Sequence, residues 1–376
     1  MDFDLTPSQK MTQRAVREFV RKEVVPMSQE LDENGEFPIA LYRQALALDV
    51  LDLTVPEALG GIGDDTLGFV MALEEFACGS AALAQSIAAT EAMVFMLSRY
   101  GTPQQQDTHL PGLLAGERFG ATAIRPPEAW TDPAGSVQAV PDADGYRLHG
   151  TLDYVPFAPV ADLAVVFTAI KDTGICAIII DNQSPGWLAS EAESLMGVRG
   201  FPLGRIELND VPVSADHLLG GTLIGQEVFD GLLSRCETAA GAIALGLSRA
   251  ALEAAVRHSK ARIQFGKPLA EMEATQNKLA DMNTGIQSTR LLVYRAALSL
   301  KEAKSAGPQS AMAKLTASEL ALEICREAVQ IHGGYGYVKD YPVERCYRDA
   351  LFCQVYPTIN EIQRRAVAQH TLRTIR

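Results

Sequence analysis

Gln330, Gly333 and Gly334 are placed where a chain break could meet a ligand. They lie in Ala328–Asp349, AVQIHGGYGYVKDYPVERCYRD, which reads as a helix, a glycine break and a second short helix. Neither glycine carries a Cβ, so the backbone there can approach another group closely. Gln330 offers two donors and an acceptor just ahead of the break. The same residues also suit an ordinary helix C-cap followed by a turn, and both readings stand at this point. Glu344 and Arg348 are four apart on the second helix and read as an intrahelical ion pair. Cys78, Cys176, Cys236, Cys325, Cys346 and Cys353 form no CxxC pair and no metal-ligand spacing. They read as reduced core thiols, with no metal site.

Long helices must hold that break in place. Residues 226–261, rich in Ala and Leu, are followed by amphipathic segments 272–305 and 308–332, split at Gly307-Pro308. Short connections between them suggest an antiparallel bundle. At the other end, Thr6 and Pro7 mark a helix start. Helices are expected from Pro38 to about Ala47, at 64–79, at 80–99 and from Thr102-Pro103 to near Gly116. Between the two helical regions the pattern becomes β-like at 144–151, 161–170, 176–180 and 204–208. The expected order is an α-helical domain at 1–116, a small β-barrel or sandwich domain at 117–222, and a four-helix-bundle domain at 223–376. The fold class is α+β.

The 376 residues, 47% hydrophobic and 21% charged, suit an ordinary globular protein. A net charge of −13 argues against nucleic-acid binding, which wants a basic face. The polar start MDFDLTPSQK does not read as a signal peptide. No uninterrupted apolar run reaches membrane-spanning length, so no membrane partner and a cytoplasmic location are expected.

The 328–349 stretch closely resembles the C-terminal flavin-contacting segment of the acyl-CoA dehydrogenase family. Arg262-Ile-Gln-Phe-Gly-Lys-Pro-Leu269 matches a second family block. Weaker landmarks recur throughout, including Asp32–Pro38, Gly60-Gly61, Tyr100-Gly-Thr102, Asp210-Val211 and Leu279–Met282. The resemblance implies an FAD enzyme that oxidises an acyl-CoA, or acyl-carrier, thioester to its α,β-enoyl form. A carboxylate takes the α-proton, a hydride goes to the flavin, and an electron-transfer flavoprotein collects the electrons. It also implies that Arg262, Phe265, Gln330, Gly333 and Gly334 reach the FAD of a neighbouring subunit. Arg262 would bring a fork of donors to the diphosphate, and Phe265 an aromatic contact.

The match fails where the chemistry should be. The family's Tyr-Glu-Gly-Thr-Ser-Glu-Ile-Gln is Tyr356-Pro-Thr-Ile-Asn-Glu-Ile-Gln363 here, and Pro357 replaces the catalytic Glu. Proline cannot accept a proton. Some branches carry the base on the first bundle helix, at about Cys236 here. Glu237 is adjacent, but one step turns a side chain by about 100°. Glu237 therefore reads as a relocated base or as a buried or interface carboxylate. Glu361 is retained as an FAD contact and is the other candidate base. Ile124-Arg-Pro-Pro-Glu-Ala-Trp-Thr131 replaces a small, glycine-rich loop and sets Trp130 against the CoA ligand. Tyr154-Val-Pro156 replaces Trp-Ile-Thr, and Pro156 offers neither hydroxyl nor N–H. Glu273 stands for a flavin-contacting Gln, and Ile359 for a Thr.

The losses gather in this chain's own flavin-ring and thioester pocket. The best-kept blocks would complete a partner's site. This pattern points to the degenerate, FAD-capping subunit of a heteromeric enzyme with a paralogous catalytic chain. The alternatives are a homomeric dehydrogenase with a relocated base, and a non-redox acyl-thioester binder.

Overall fold

A computed structural model describes residues 4–122, 124, 137–142, 145–170, 174–302 and 307–375. The first six helices are α1 (Pro7–Phe19), α2 (Val25–Asn34), α3 (Ile39–Leu46), α4 (Thr66–Gly79), α5 (Ala81–Tyr100) and α6 (Pro103–Leu114). Their starts are written locally. Thr6 and Gln9 form a capping box ahead of Pro7, and Thr102 and Gln105 form another ahead of Pro103. Asp65 and Ser80 cap α4 and α5. A π-helical turn, Val20–Val24, joins α1 to α2. Residues 81–98 of α5 are all buried, which makes it the central rod of this region. α5 and the later helix Gly225–Ala261 are long and apolar enough to span a membrane, contrary to the expectation from uninterrupted runs. In the fold, the apolar stretch of α5 is wholly buried and that of the later helix largely so.

A seven-stranded sheet follows: β1 (Gly120–Thr122), β2 (Val137–Asp142), β3 (Gly145–Pro156), β4 (Leu163–Ile170), β5 (Gly174–Asp181), β6 (Trp187–Ala189) and β7 (Leu203–Val213). The order is β1-β4-β2-β3-β7-β6, with β5 on the free edge of β4. β3, β4, β5 and β7 are the strands expected from apolar runs. β1 and β6 have three residues each, and β2 carries Pro141, so none of them shows a clear alternating pattern. The sheet has its own core, including Leu148, Val166, Ile178 and Ile206.

The third region comprises α7 (Gly225–Ala261), the two-residue strands β8 (Ile263–Gln264) and β9 (Lys267–Pro268), α8 (Glu273–Glu302), α9 (Gly307–His332), α10 (Pro342–Val355) and α11 (Asn360–Thr374). α7 packs on α8, α9 and α10, and also on α4 and α5. Small residues make that approach close: a Cβ added at Gly246 would lie 2.4 Å from the Glu74 carbonyl oxygen of α4.

Buried ion pairs bind the regions together. Glu75 accepts from Arg17 at 2.7 Å and also from Arg249, and Glu74 accepts from Arg249 at 2.9 Å and Arg290 at 2.7 Å. One acidic pair on α4 therefore holds α1, α7 and α8. The Glu344–Arg348 pair is present at 2.8 Å, and Arg348 reaches further, to Asp32 at 2.7 Å and the Met196 carbonyl at 2.9 Å.

Candidate functional site

The hairpin after α7 carries two of the sequence-marked residues. Phe265 and Gly266 both take positive φ, +52° and +80°, which is the backbone of a tight two-residue turn. Glycine adopts this readily, whereas phenylalanine does so under strain. The turn holds the Phe265 ring 93% exposed, in contact with solvent instead of the core. At its base, the Leu269 N–H donates to the Arg262 carbonyl at 2.9 Å.

Arg262, Gly333 and Gly334 then come together. They line an open pocket of about 460 Å³ with His258, His332 and Tyr335. Gly333 has φ +59°, and a Cβ added at Gly333 or Gly334 would meet nothing within 4 Å. The glycines therefore leave room for an incoming group. Gln330 is exposed on the last turn of α9, outside the lining of this pocket. The Arg262 guanidinium lies 5.5 Å over the Tyr335 ring. The imidazoles of His258 and His332 stack with centroids 4.2 Å apart, and Tyr341 abuts both. Sequence reasoning missed these histidines and tyrosines. The available signal was local: His258 lies one turn before Arg262, and His332 directly precedes the glycine break.

The cavity lined by Pro156 and Cys236, two positions that the sequence resemblance sets in the chemistry, is different. Gln85, Ala88, Ala89, Ala92, Thr122, Ile124, Pro156, Cys236 and Tyr356 enclose a cavity of only about 10 Å³. That is about the space of one water molecule. The Thr122 hydroxyl is buried beside it without a protein partner. Phe157, in the left-handed region at φ +61°, turns its ring into a cluster with Phe37, Phe119, Tyr42 and Phe201. Tyr356 stacks on Phe352 with centroids 5.1 Å apart. Trp130 and its neighbours Arg125–Thr131 lie outside the described residues.

The candidate bases stand apart from this cavity's lining. Glu237 is 3% exposed on α7, and burial raises its pKa to about 8, opposed by the nearby Lys314 charge and a hydrogen bond with Thr358. Lys314 is fully buried and donates to the Gln354 carbonyl at 3.0 Å, the Thr358 carbonyl at 2.6 Å and Asn360 Oδ1 at 2.6 Å. Burial lowers its pKa to about 8. Glu237 thus belongs to a polar cluster that pins the 354–360 segment, as its reading as a buried carboxylate anticipates. Glu361 projects from the first turn of α11 with its side chain 74% exposed, 3.8 Å from Arg364. A third carboxylate, Glu91, acts on Cys236, but Arg235 holds it at 2.6 Å.

The acyl-CoA dehydrogenase N-terminal domain matches residues 6–117, and the acyl-CoA dehydrogenase C-terminal domain matches 225–372. The chain belongs to the acyl-CoA dehydrogenase family. It is 35% identical to a probable acyl-CoA dehydrogenase, YngJ, of Bacillus subtilis, over 99% of this chain and all of that one. Among solved structures, the butyryl-CoA dehydrogenase of Megasphaera elsdenii superposes with a TM-score of 0.93 at 34% identity, covering 99% of this chain and 100% of that one. A glutaryl-coenzyme A dehydrogenase bound to glutaryl-CoA gives 0.94 at 30% identity, covering 99% and 97%.

The family implies a flavin, and the residues fit it unequally. The open glycine cradle beside a guanidinium suits a diphosphate. Pro156, which the sequence match sets at the flavin ring, presents no hydroxyl or N–H, and the cavity it lines holds only about 10 Å³.

Proposed function

We propose that this chain is the non-catalytic, FAD-completing subunit of a heteromeric acyl-CoA dehydrogenase. One contrast carries the reading: the Arg262–Gly333–Gly334 pocket is open at about 460 Å³, while the cavity at Pro156, Cys236 and Tyr356 holds about 10 Å³. Small-molecule sites generally need about 300–1,000 Å³. In this reading a paralogous chain supplies the Glu that removes the α-proton of an acyl-CoA or acyl-carrier thioester. A flavin bound there would supply the acceptor for the β-hydride, and an electron-transfer flavoprotein would collect the electrons. This chain's part is binding and orientation. Arg262 bonds the diphosphate, Phe265 covers an apolar face, and Gly333 and Gly334 admit the cofactor to the backbone, with Gln330 beside them. Glu361 contributes at the start of α11.

The test is flavin content. The chain purified alone is expected to carry none. Co-expressed with its paralogue, it is expected to give one flavin per two chains. A flavin-replete, active homotetramer would overturn the proposal. The homomeric alternative draws on the raised Glu237 pKa, which suits a base near neutral pH. Loss of α-proton exchange in Glu237→Gln, with flavin retained, would establish it instead.

A further inference from the structure

We propose that the stacked His258–His332 pair is a proton-linked part of the anion seat in the Arg262 pocket, taking up a proton from solvent when an oxyanion binds. The inference rests on the flavin-completing reading only for the natural anion, a dinucleotide diphosphate.

The geometry carries it. Both imidazoles line the open pocket with Arg262 and the two glycines. Their centroids are 4.2 Å apart with planes inclined by 26°, so a charge on one ring falls directly on the other. His332 Nδ1 lies 2.7 Å from the Ala328 carbonyl, which fixes a proton on that nitrogen and frees Nε2 for another contact. Facing His258 are His332 from α9, Tyr335 from the turn after it, Tyr341 ahead of α10, and Arg262 from the end of its own helix. Facing His332 are Tyr341 and, from α7, Arg257. Among the described residues the fixed charges acting on the pair are thus both cationic. Burial and these cations push both histidines below their ordinary pKa, so the pair is neutral at pH 7. A polyanion at Arg262 reverses the balance. It cancels the guanidinium's repulsion and attracts a proton to the stack. Binding that raises a pKa takes up protons, so affinity rises as pH falls through that pKa.

The probe is sulfate, which stays a dianion between pH 5 and 8. The full chain, labelled at histidine nitrogens, is titrated over that range in sodium sulfate and in sodium chloride of equal ionic strength. The His258 and His332 signals are expected to titrate at least about half a pH unit higher in sulfate, equivalent to about threefold in affinity. In Arg262→Gln, the sulfate-dependent shift is expected to vanish, while the His258 midpoint rises in chloride because the cation facing it has gone. In His258→Gln, the pH dependence of sulfate binding by calorimetry is expected to flatten, while Arg262 still gives binding at pH 7.5. Midpoints identical in the two salts would overturn the proposal, as would a sulfate shift that survives Arg262→Gln. The outcome is separable from the flavin test. A sulfate shift without flavin capture sinks only the subunit role; capture without the shift sinks only the histidine role.

Discussion

Replacing Lys314 with Met removes a charge that nothing nearby can replace. The side chain is fully buried and donates to two carbonyls, Gln354 and Thr358, and to Asn360 Oδ1. Asn360 keeps a second donor, the Ser318 hydroxyl at 3.1 Å. The two carbonyls lose charge-assisted bonds worth about 1.5–3 kcal/mol each. Methionine fills most of the volume, so packing adds little. Glu237 adds little at pH 7, because burial already keeps it largely protonated. The sum is a loss of about 3–6 kcal/mol, a large part of the 5–15 kcal/mol that holds a typical fold. Urea unfolding monitored by circular dichroism measures it.

The pH profile supplies a second signature of the same substitution. Glu237 is raised from 4.5 to about 8, so its contribution to stability is present at low pH and is lost as pH climbs to about 8. Lys314 is lowered from 10.5 to about 8, so the parent regains stability between about 8 and 10.5. Lys314→Met has no such rise, and Glu237, freed of its cationic neighbour, goes on losing stability above pH 8. The gap between parent and variant therefore widens from pH 8 to 10. A variant within 1 kcal/mol of the parent at pH 7, or a gap constant across that range, would refute the reasoning.

Three further outcomes are expected. Gly246→Ala drives a methyl to 2.4 Å from the Glu74 carbonyl oxygen and is expected to cost about 3 kcal/mol in urea unfolding. Asp349 is buried, accepts the Val198 N–H, and is raised from 3.8 to about 6. It costs stability as pH rises from about 4 to 6, so Asp349→Asn is expected to unfold at higher urea than the parent at pH 7.5 and to lose that advantage at pH 4. Pro357→Glu restores a carboxylate to the family position, but the adjacent cavity stays at about 10 Å³. Deuterium exchange at the α-carbon of an acyl-CoA is expected to stay at background, short of the 10²-fold or more that a placed base gives.

Much of the architecture was legible because its signals are local. Thr6 and Thr102 cap the helices that their Thr-Pro pairs announce, and the Ala- and Leu-rich 226–261 segment reads as a helix. Arg262 and the glycine pair were legible by resemblance, and the fold brings them to one pocket. The short strands β1 and β6 stayed hidden because three residues cannot display a period. The His258–His332 stack and the three contacts of Lys314 stayed hidden for another reason. They join residues 74 and between 40 and 46 positions apart, and only packing brings them together. Pro156 was legible as a departure in the sequence, yet the size of the cavity it lines also depends on Tyr356, whose ring direction follows from its stacking on Phe352.

Phe265 and Tyr337 are 93% and 92% exposed, each next in sequence to a residue that lines the Arg262 pocket. Each copy made without something to lay over them carries two bare aromatic rings into a crowded solution. Such rings are what quality-control machinery and other unpaired copies bind. On the proposed subunit role, these two rings also set a dosage requirement, in which synthesis in excess of whatever covers them is penalised by clumping or destruction.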